Sequence, residues 1–218
     1  MFVVNSNIAK ALSPVGALRE RFQRDAEIDS AERGSLAGII RDEPQTYSSE
    51  EDILFNSLHA KLGVLRWSSF DDLESPDHLV KMGTIVENGT SGIGRASVVV
   101  DASVFDCAAW EVMQMGRKRL RDHGRLERSL TKVNDHHGIF YAAYDFGIPG
   151  FQPREFLQSQ VWRLQGDKLT AVYHSVDRAD VPPNPLYVRG TSTTHSVYEK
   201  LQVRTRERRA SELKIACH

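Results

Sequence analysis

Two apolar-rich runs, Phe156–Leu164 and Leu169–Val176, stand on either side of Gln165-Gly166-Asp167-Lys168. Val161, Trp162, Thr170, Val172, Tyr173 and Val176 are β-branched or aromatic, side chains that fit a pleated surface better than a helix. The stretch therefore predicts a β-hairpin closed by a glycine-containing turn. In Val181-Pro182-Pro183-Asn184-Pro185 the prolines cannot donate to a strand ladder, so a loop is predicted there, followed by a third strand at Leu186–Arg189.

Upstream, apolar positions recur at helical spacing in two places. Ile53, Leu54, Leu58 and Leu62 form a stripe behind Ser48-Ser49-Glu50-Glu51, where Glu51 stands three residues after Ser48 as a capping box requires, and Gly63 marks the end. Phe105, Ala108, Ala109, Val112 and Met113 predict a second helix over Val104–Met115. Ser103 is its N-cap, and Gly116 with the basic run Arg117–Arg121 suits its exit. Val64–Trp67 and Phe70–Leu73 lead from the first helix to strands at Lys81–Glu87 and Arg95–Val100, around the turn Asn88–Gly94. Leu126–Val133 and Ile139–Tyr144 read as two more, turning at Asn134-Asp135-His136-His137-Gly138. This order predicts an α+β fold with an antiparallel sheet and helices segregated in sequence.

The central stretch also carries four short motifs in order: Pro153-Arg154-Glu155-Phe156 entering a strand, Ser175-Val176 at the end of the next, Pro182-Pro183 in the loop, and Val188-Arg189-Gly190. In order and spacing they resemble the START domain, the lipid-transfer domain of the steroidogenic acute regulatory protein family. The resemblance implies a helix-grip fold, in which a curved antiparallel sheet wraps a long C-terminal helix around an apolar cavity. It divides the chain into a weakly structured extension at 1–46, a START-like domain at 47–190 and a divergent basic tail at 191–218. In the extension, Ser13-Pro14 starts a short helix through Arg24, with Val15, Leu18 and Phe22 on one face. The tail departs from the family. Further strands and the closing helix would take on the order of 60 residues, so the C-terminal lid helix is read as incomplete, a truncated end in preference to a substitute lid. Ser196–Ile215 can be helical, but Arg204, Arg206, Arg208 and Arg209 make it basic and its apolar stripe is thin. The expectation is then a sheet face left partly exposed, with self-association through it.

Composition narrows the function classes. The 218 residues are 40% hydrophobic, enough to fill a core, and a net charge of −1 steers the chain toward neither nucleic acid nor anionic membrane. Cys107 and Cys217 lie far apart, which is no disulfide framework or metal cluster and predicts a reducing, cytoplasmic setting. No run of about 18 apolar residues is present to span a membrane. The lack of acidic residues before Glu20 leaves an organelle presequence open beside a disordered tail.

Two apparent motifs carry less than they suggest. Asn88-Gly89-Thr90-Ser91-Gly92-Ile93-Gly94 is similar to a dinucleotide-binding loop, but Ser97-Val98-Val99-Val100 follows as a strand where that loop needs a helix, and no Tyr has a Lys four residues on. No cofactor is expected. Asp135-His136-His137 invites a metal or general-base reading, yet adjacent strand residues point to opposite faces and no third ligand is suitably spaced, so a polar turn is expected and no metal. His174 precedes Ser175 on a strand without a recognisable Ser/His/Asp order. Trp67, Trp110 and Trp162 read as core or cavity wall.

The site residues follow from the resemblance. Arg154 and Glu155 correspond to the family's structural Arg-Asp pair. Gln160 falls where some sterol-binding relatives place a cavity-facing Arg, and Tyr141 where they carry its acidic partner, so sterol specificity does not carry over. Strand alternation puts 154, 156, 158 and 160 on one face. Tyr141, Phe156, Gln158 and Gln160 are accordingly the expected ligand-binding residues, with Tyr141 and Gln160 bonding either a ligand or each other. The expected function is non-catalytic binding, or transfer, of a lipid or other hydrophobic ligand, with transient membrane contact. Two alternatives stay open: an enzyme on the related polyketide-cyclase scaffold, and a truncated interaction module without ligand.

Overall fold

The computed structural model describes residues 14–63, 65–75, 78–87, 91–121, 125–201 and 211–217. In chain order the elements are α1 (Pro14–Asp42), α2 (Ser49–Gly63), a 3-10 turn (Trp67–Ser69), β1 (Asp71–Leu73), β2 (Val80–Glu87), β3 (Ser91–Val100), α3 (Val104–Val112), α4 (Arg117–Arg121), β4 (Arg125–Lys132), β5 (His137–Tyr144), β6 (Arg154–Gln165), β7 (Lys168–Ser175), β8 (Val188–Arg189), β9 (Thr193–Lys200) and β10 (Ser211–Cys217). The strands make one open, curved sheet in the order β1-β2-β3-β10-β9-β7-β6-β5-β4, antiparallel throughout, while β8 pairs with β6 in parallel.

The predicted hairpin is β6–β7, in register from Gln158↔Ser175 to Gln165↔Lys168. Gly166 takes φ +60 at the turn, a left-handed conformation that glycine adopts without a Cβ clash. The capping box of α2 forms as read: Glu51 N–H donates to Ser48 Oγ at 3.2 Å and Ser48 N–H to Glu51 Oε2 at 2.8 Å. Ser103 caps α3 by accepting from Asp106 N–H at 3.0 Å. The basic run forms a separate short helix, α4, rather than the end of α3.

Register assigns the two faces of the sheet. On one face Trp162, Leu169, Ala171, Tyr173 and Tyr198 pack with Val104, Ala108 and Ala109 of α3 and with Ala37 and Ile40 of α1. On the other, Val161 and Val172 pack with Phe55 and Leu58 of α2. Burying one such aliphatic side chain contributes about 1.5–3 kcal/mol, so each helix is held to its face chiefly by these contacts.

Three expectations are corrected. The short helix expected through Arg24 runs on to Asp42, through a stretch whose apolar positions are too sparse to stand out as a stripe. The described parts of the tail, 193–201 and 211–217, are not the helix expected over Ser196–Ile215. Thr193–Lys200 is a strand, and Ser211–Cys217 pairs between it and β3. Thr193, Thr194, Val197 and Tyr198 are strand formers, and Leu213 and Ile215 alternate with polar residues at strand period. The face expected to stand open is covered by α1 and α3, leaving Trp162 only 3% exposed. Residues 1–13, the 88–90 turn, Arg204, Arg206, Arg208, Arg209 and the side chain of Trp67 lie outside the described residues.

Candidate ligand-binding site

The Trp162 face holds a cavity of about 120 Å³ near the open end of the β5–β6 pairing. Gln160, Trp162, Gly138 and Leu130 line it from the sheet, Leu36 and Ile39 from α1, and Val112 from α3. Gly138 pairs with Gln160, so the neighbouring strand offers no side chain above the amide. Gln160 is only 4% exposed, and no hydrogen bond reaches its side chain from any described residue. Its amide is not among the fully buried side-chain groups that lack a partner, so it opens onto the cavity, where a ligand or water can bond it. Trp162 is fixed beside it, with Nε1–H donating to the Asp135 carbonyl at 3.2 Å.

Of the other expected site residues, Phe156 and Gln158 share this face but lie farther along it. Gln158 Nε2 donates to Ser192 Oγ at 3.0 Å. Phe156 packs against Gly190, where a Cβ would fall 2.5 Å from the ring. Glycine in Val188-Arg189-Gly190 is thus required by close approach. Tyr141 is on the opposite face. It pairs with Leu157 and lines a separate open groove with Ser129, Val181, Pro182 and Asn184. It cannot meet Gln160, because odd and even positions of β6 face apart.

Tyr141 instead donates its hydroxyl to Glu155 at 2.8 Å. Glu155 is fully buried, and it also accepts from Arg189 Nε at 2.9 Å and Asn184 N–H at 3.0 Å. Burial alone would raise the Glu155 pKa. The bonds from Arg189, Tyr141 and Asn184 outweigh burial and hold it below the usual value. Burial and the bond to this carboxylate push the Tyr141 hydroxyl up. The four motifs that looked separate in sequence thus converge. Glu155 from the first binds the Arg189 of the last and the loop at Asn184, while Val176 N–H donates to Leu157 O at 3.0 Å. Arg154 points elsewhere, its guanidinium 4.1 Å from the Phe151 ring centroid.

A second polar cluster joins α2 to the β4–β5 turn. Glu51 accepts from His137 Nδ1–H at 2.9 Å, His136 Nε2–H at 3.2 Å and Asn134 Nδ2–H at 2.9 Å. Burial would raise the Glu51 pKa, but the bonds from Ser48, Asn134, His136 and His137 bring it down to about 2. The expectation that the adjacent histidines point apart fails because His136 precedes β5 and is not held to strand alternation. Both rings reach the same carboxylate. Ser159 Oγ donates to His137 Nε2 at 2.8 Å, which completes a serine–histidine–carboxylate relay in distance alone. Ser159 is 4% exposed and lines neither the cavity nor the groove. Sequence reasoning missed this cluster, although the capping-box Glu51 was its one visible member. His59 Nδ1 and His195 Nε2, 2.9 Å apart, form a further pair. Burial, then the charge of His59, lowers the His195 pKa to about 4. His174 bonds Thr193 at 3.2 Å. Among the described residues no group of three or more His, Cys, Asp or Glu could hold a metal ion. Gly92 and Gly94, expected within the turn, lie instead within β3, paired to Val86 and Thr84, so the strand begins four residues earlier than Arg95.

The arrangement of sheet and helices matches solved structures closely enough to name. Human StAR-related lipid transfer protein 5 superposes with a TM-score of 0.60 at 14% identity, over 78% of this chain and 82% of that one. The chain has the START fold. Human STARD10 gives 0.56 at 12% identity, over 83% of this chain and 70% of that one. A STAR-related lipid transfer protein from Xanthomonas axonopodis gives 0.55 at 14%, over 69% and 81%. No protein-family model matches the sequence, and no curated protein matches it. The START likeness therefore speaks for architecture, and function has to be argued from the site.

Proposed function

We propose that this START-fold chain binds a lipid or other hydrophobic ligand, without catalysis, between the Trp162 face and the helices that cover it. The observation that carries the reading is Gln160, a buried amide with no side-chain or backbone bond among the described residues, set in a mostly apolar cavity. Such a site buries the apolar body of a ligand at about 25 cal/mol per Å² and orients it through one or two polar groups. Two of the superposed proteins are named as lipid transfer proteins, which supports the same class. The ionisable groups on the cavity rim are engaged elsewhere. Lys132 pairs with Asp135, and the ring nitrogens of His136 and His137 bond Gln45, Glu51 and Ser159. This favours binding over an acid–base enzyme.

Transient membrane contact is part of the proposal. Between β5 and β6, Phe146 (52%), Ile148 (56%) and Phe151 (44%) are exposed together, with Leu186 exposed in the facing loop. A contiguous apolar tip beside Arg154 suits insertion into a lipid surface. Among the described residues no helix is long and apolar enough to cross a membrane, and a cytoplasmic setting remains the expectation.

Native mass spectrometry of the purified chain tests the reading. A discrete added mass that organic extraction removes is expected. A chain that carries none, and takes up none from mixed phosphatidylcholine–phosphatidylserine vesicles, would overturn it.

A further inference from the structure

The cavity is too small for the ligand class just proposed. Small-molecule sites run to roughly 300–1,000 Å³, against about 120 Å³ here. The missing volume has an evident source, because Leu36 and Ile39 of α1 form one wall. α1 is also loosely held. This holds for its first part: across residues 19–35 only Asp29 is buried and Phe22 and Ile28 are exposed, whereas Leu36, Ala37 and Ile40 pack in the core. Its other attachment is polar. Asp29 Oδ1 accepts from Arg117 N–H at 2.7 Å and Oδ2 from Lys118 N–H at 2.8 Å, which caps α4 from another helix. Asp25 pairs with Arg121 and, at 3.8 Å, with Arg117. Beyond α1 the chain is pinned again, since Tyr47 Oη donates to the Trp162 carbonyl at 3.2 Å. Glu43 and Pro44 thus lie between the end of α1 and a fixed point.

We propose that α1 is a lid built into the chain, latched by Asp29 and Asp25 on α4, that swings about Glu43-Pro44 to admit a ligand. The inference rests on the ligand-binding reading for its purpose, but the motion can be measured without any ligand. Elements with few buried apolar contacts open locally below the global unfolding free energy. Opening of the latch moves the Leu36 and Ile39 wall away from Gln160 and Trp162.

The test uses the full chain, as wild type, Asp29→Ala and the milder Asp25→Ala. Amide hydrogen exchange is followed by mass spectrometry, and uptake of nitrobenzoxadiazole-labelled dodecanoic acid by stopped-flow fluorescence. Residues 19–42 should exchange well before β6 and β7 in the wild type. Asp29→Ala should quicken that exchange and probe uptake about tenfold, the effect expected of losing one capping interaction. If residues 19–42 exchange only in step with β6 and β7 in all three chains, the lid is overturned whatever the probe does. If exchange behaves as proposed and no chain takes up the probe, the lid stands and the ligand reading loses its support. Equal uptake by all three, with α1 exchange quickened in Asp29→Ala, would also overturn its role as gate.

Discussion

The two faces of the sheet solve the problem of buried polar groups in opposite ways. On the face that α2 packs against, Glu51, His137 and Ser159 form one bonded cluster and Glu155 with Tyr141, Asn184 and Arg189 another, and each carboxylate accepts bonds from three or more parts of the chain. On the face under α1 and α3 the core is mainly apolar, with Gln114 bonded to the Tyr173 hydroxyl at 3.1 Å, and the Gln160 side chain has no bond from any described residue and lines the cavity. Neighbours in sequence are sorted by strand alternation into a closed network and an open site. Satisfied networks rigidify, whereas a polar group that opens onto a cavity is available to a ligand. The first face therefore reads as scaffold and the second as the working surface.

The comparison predicts that the largest losses come from the packing both faces share. Trp162→Ala removes a nearly buried ring from the core, and it should destabilise by roughly 3–5 kcal/mol in chemical denaturation. An unchanged midpoint would mean β6 is not central. Glu155→Ala strands the Arg189 and Tyr141 groups. It should destabilise by about 3–5 kcal/mol, as for a broken buried ion pair; a loss under about 1 kcal/mol would show that the motif cluster is not a structural tie.

Acid should separate the scaffold's two histidine regions. His195 folds with its pKa lowered from 6.5 to about 4, so its neutral form is favoured by folding. That stability is full above pH 6.5 and is lost as pH falls toward 4. Glu51 is lowered from 4.5 to about 2, so its contribution, on the order of 3 kcal/mol, is present above pH 4.5 and lost between there and pH 2. Stability measured against pH should fall in two stages. His195→Gln should abolish the upper one; a single stage below pH 4.5 in the wild type would contradict the His59–His195 account.

Much of the scaffold was legible, because its signals are local. The β6–β7 hairpin announces itself through β-branched runs and Gly166, and the α2 cap through Ser48 and Glu51. What stayed hidden depends on residues distant in sequence. Nothing near Glu51 says that His136 and His137 will meet it, and alternation misled where His136 lies outside the strand. Tyr141 and Gln160 were paired by alignment, whereas register puts them on opposite faces. The length of α1 beyond Arg24 escaped notice because its buried positions include an aspartate and an alanine, which make no hydrophobic stripe. β10 was read as helix because a basic stretch intervenes and only two apolar residues, Leu213 and Ile215, mark its period.

The smallest expected effects discriminate best, since Ser159 and Gln160 are adjacent yet face apart. Equilibrium titration of nitrobenzoxadiazole-labelled dodecanoic acid into Gln160→Leu and Ser159→Ala, with denaturation of each, sets one face against the other. Gln160→Leu should weaken binding about tenfold, the loss of one ligand hydrogen bond, with little change in stability. Ser159→Ala should lower stability by roughly 1 kcal/mol through its bond to His137 and leave binding intact. Equal binding by both variants and the wild type, or weakening by Ser159→Ala alone, would contradict the assignment of ligand binding to the Trp162 face.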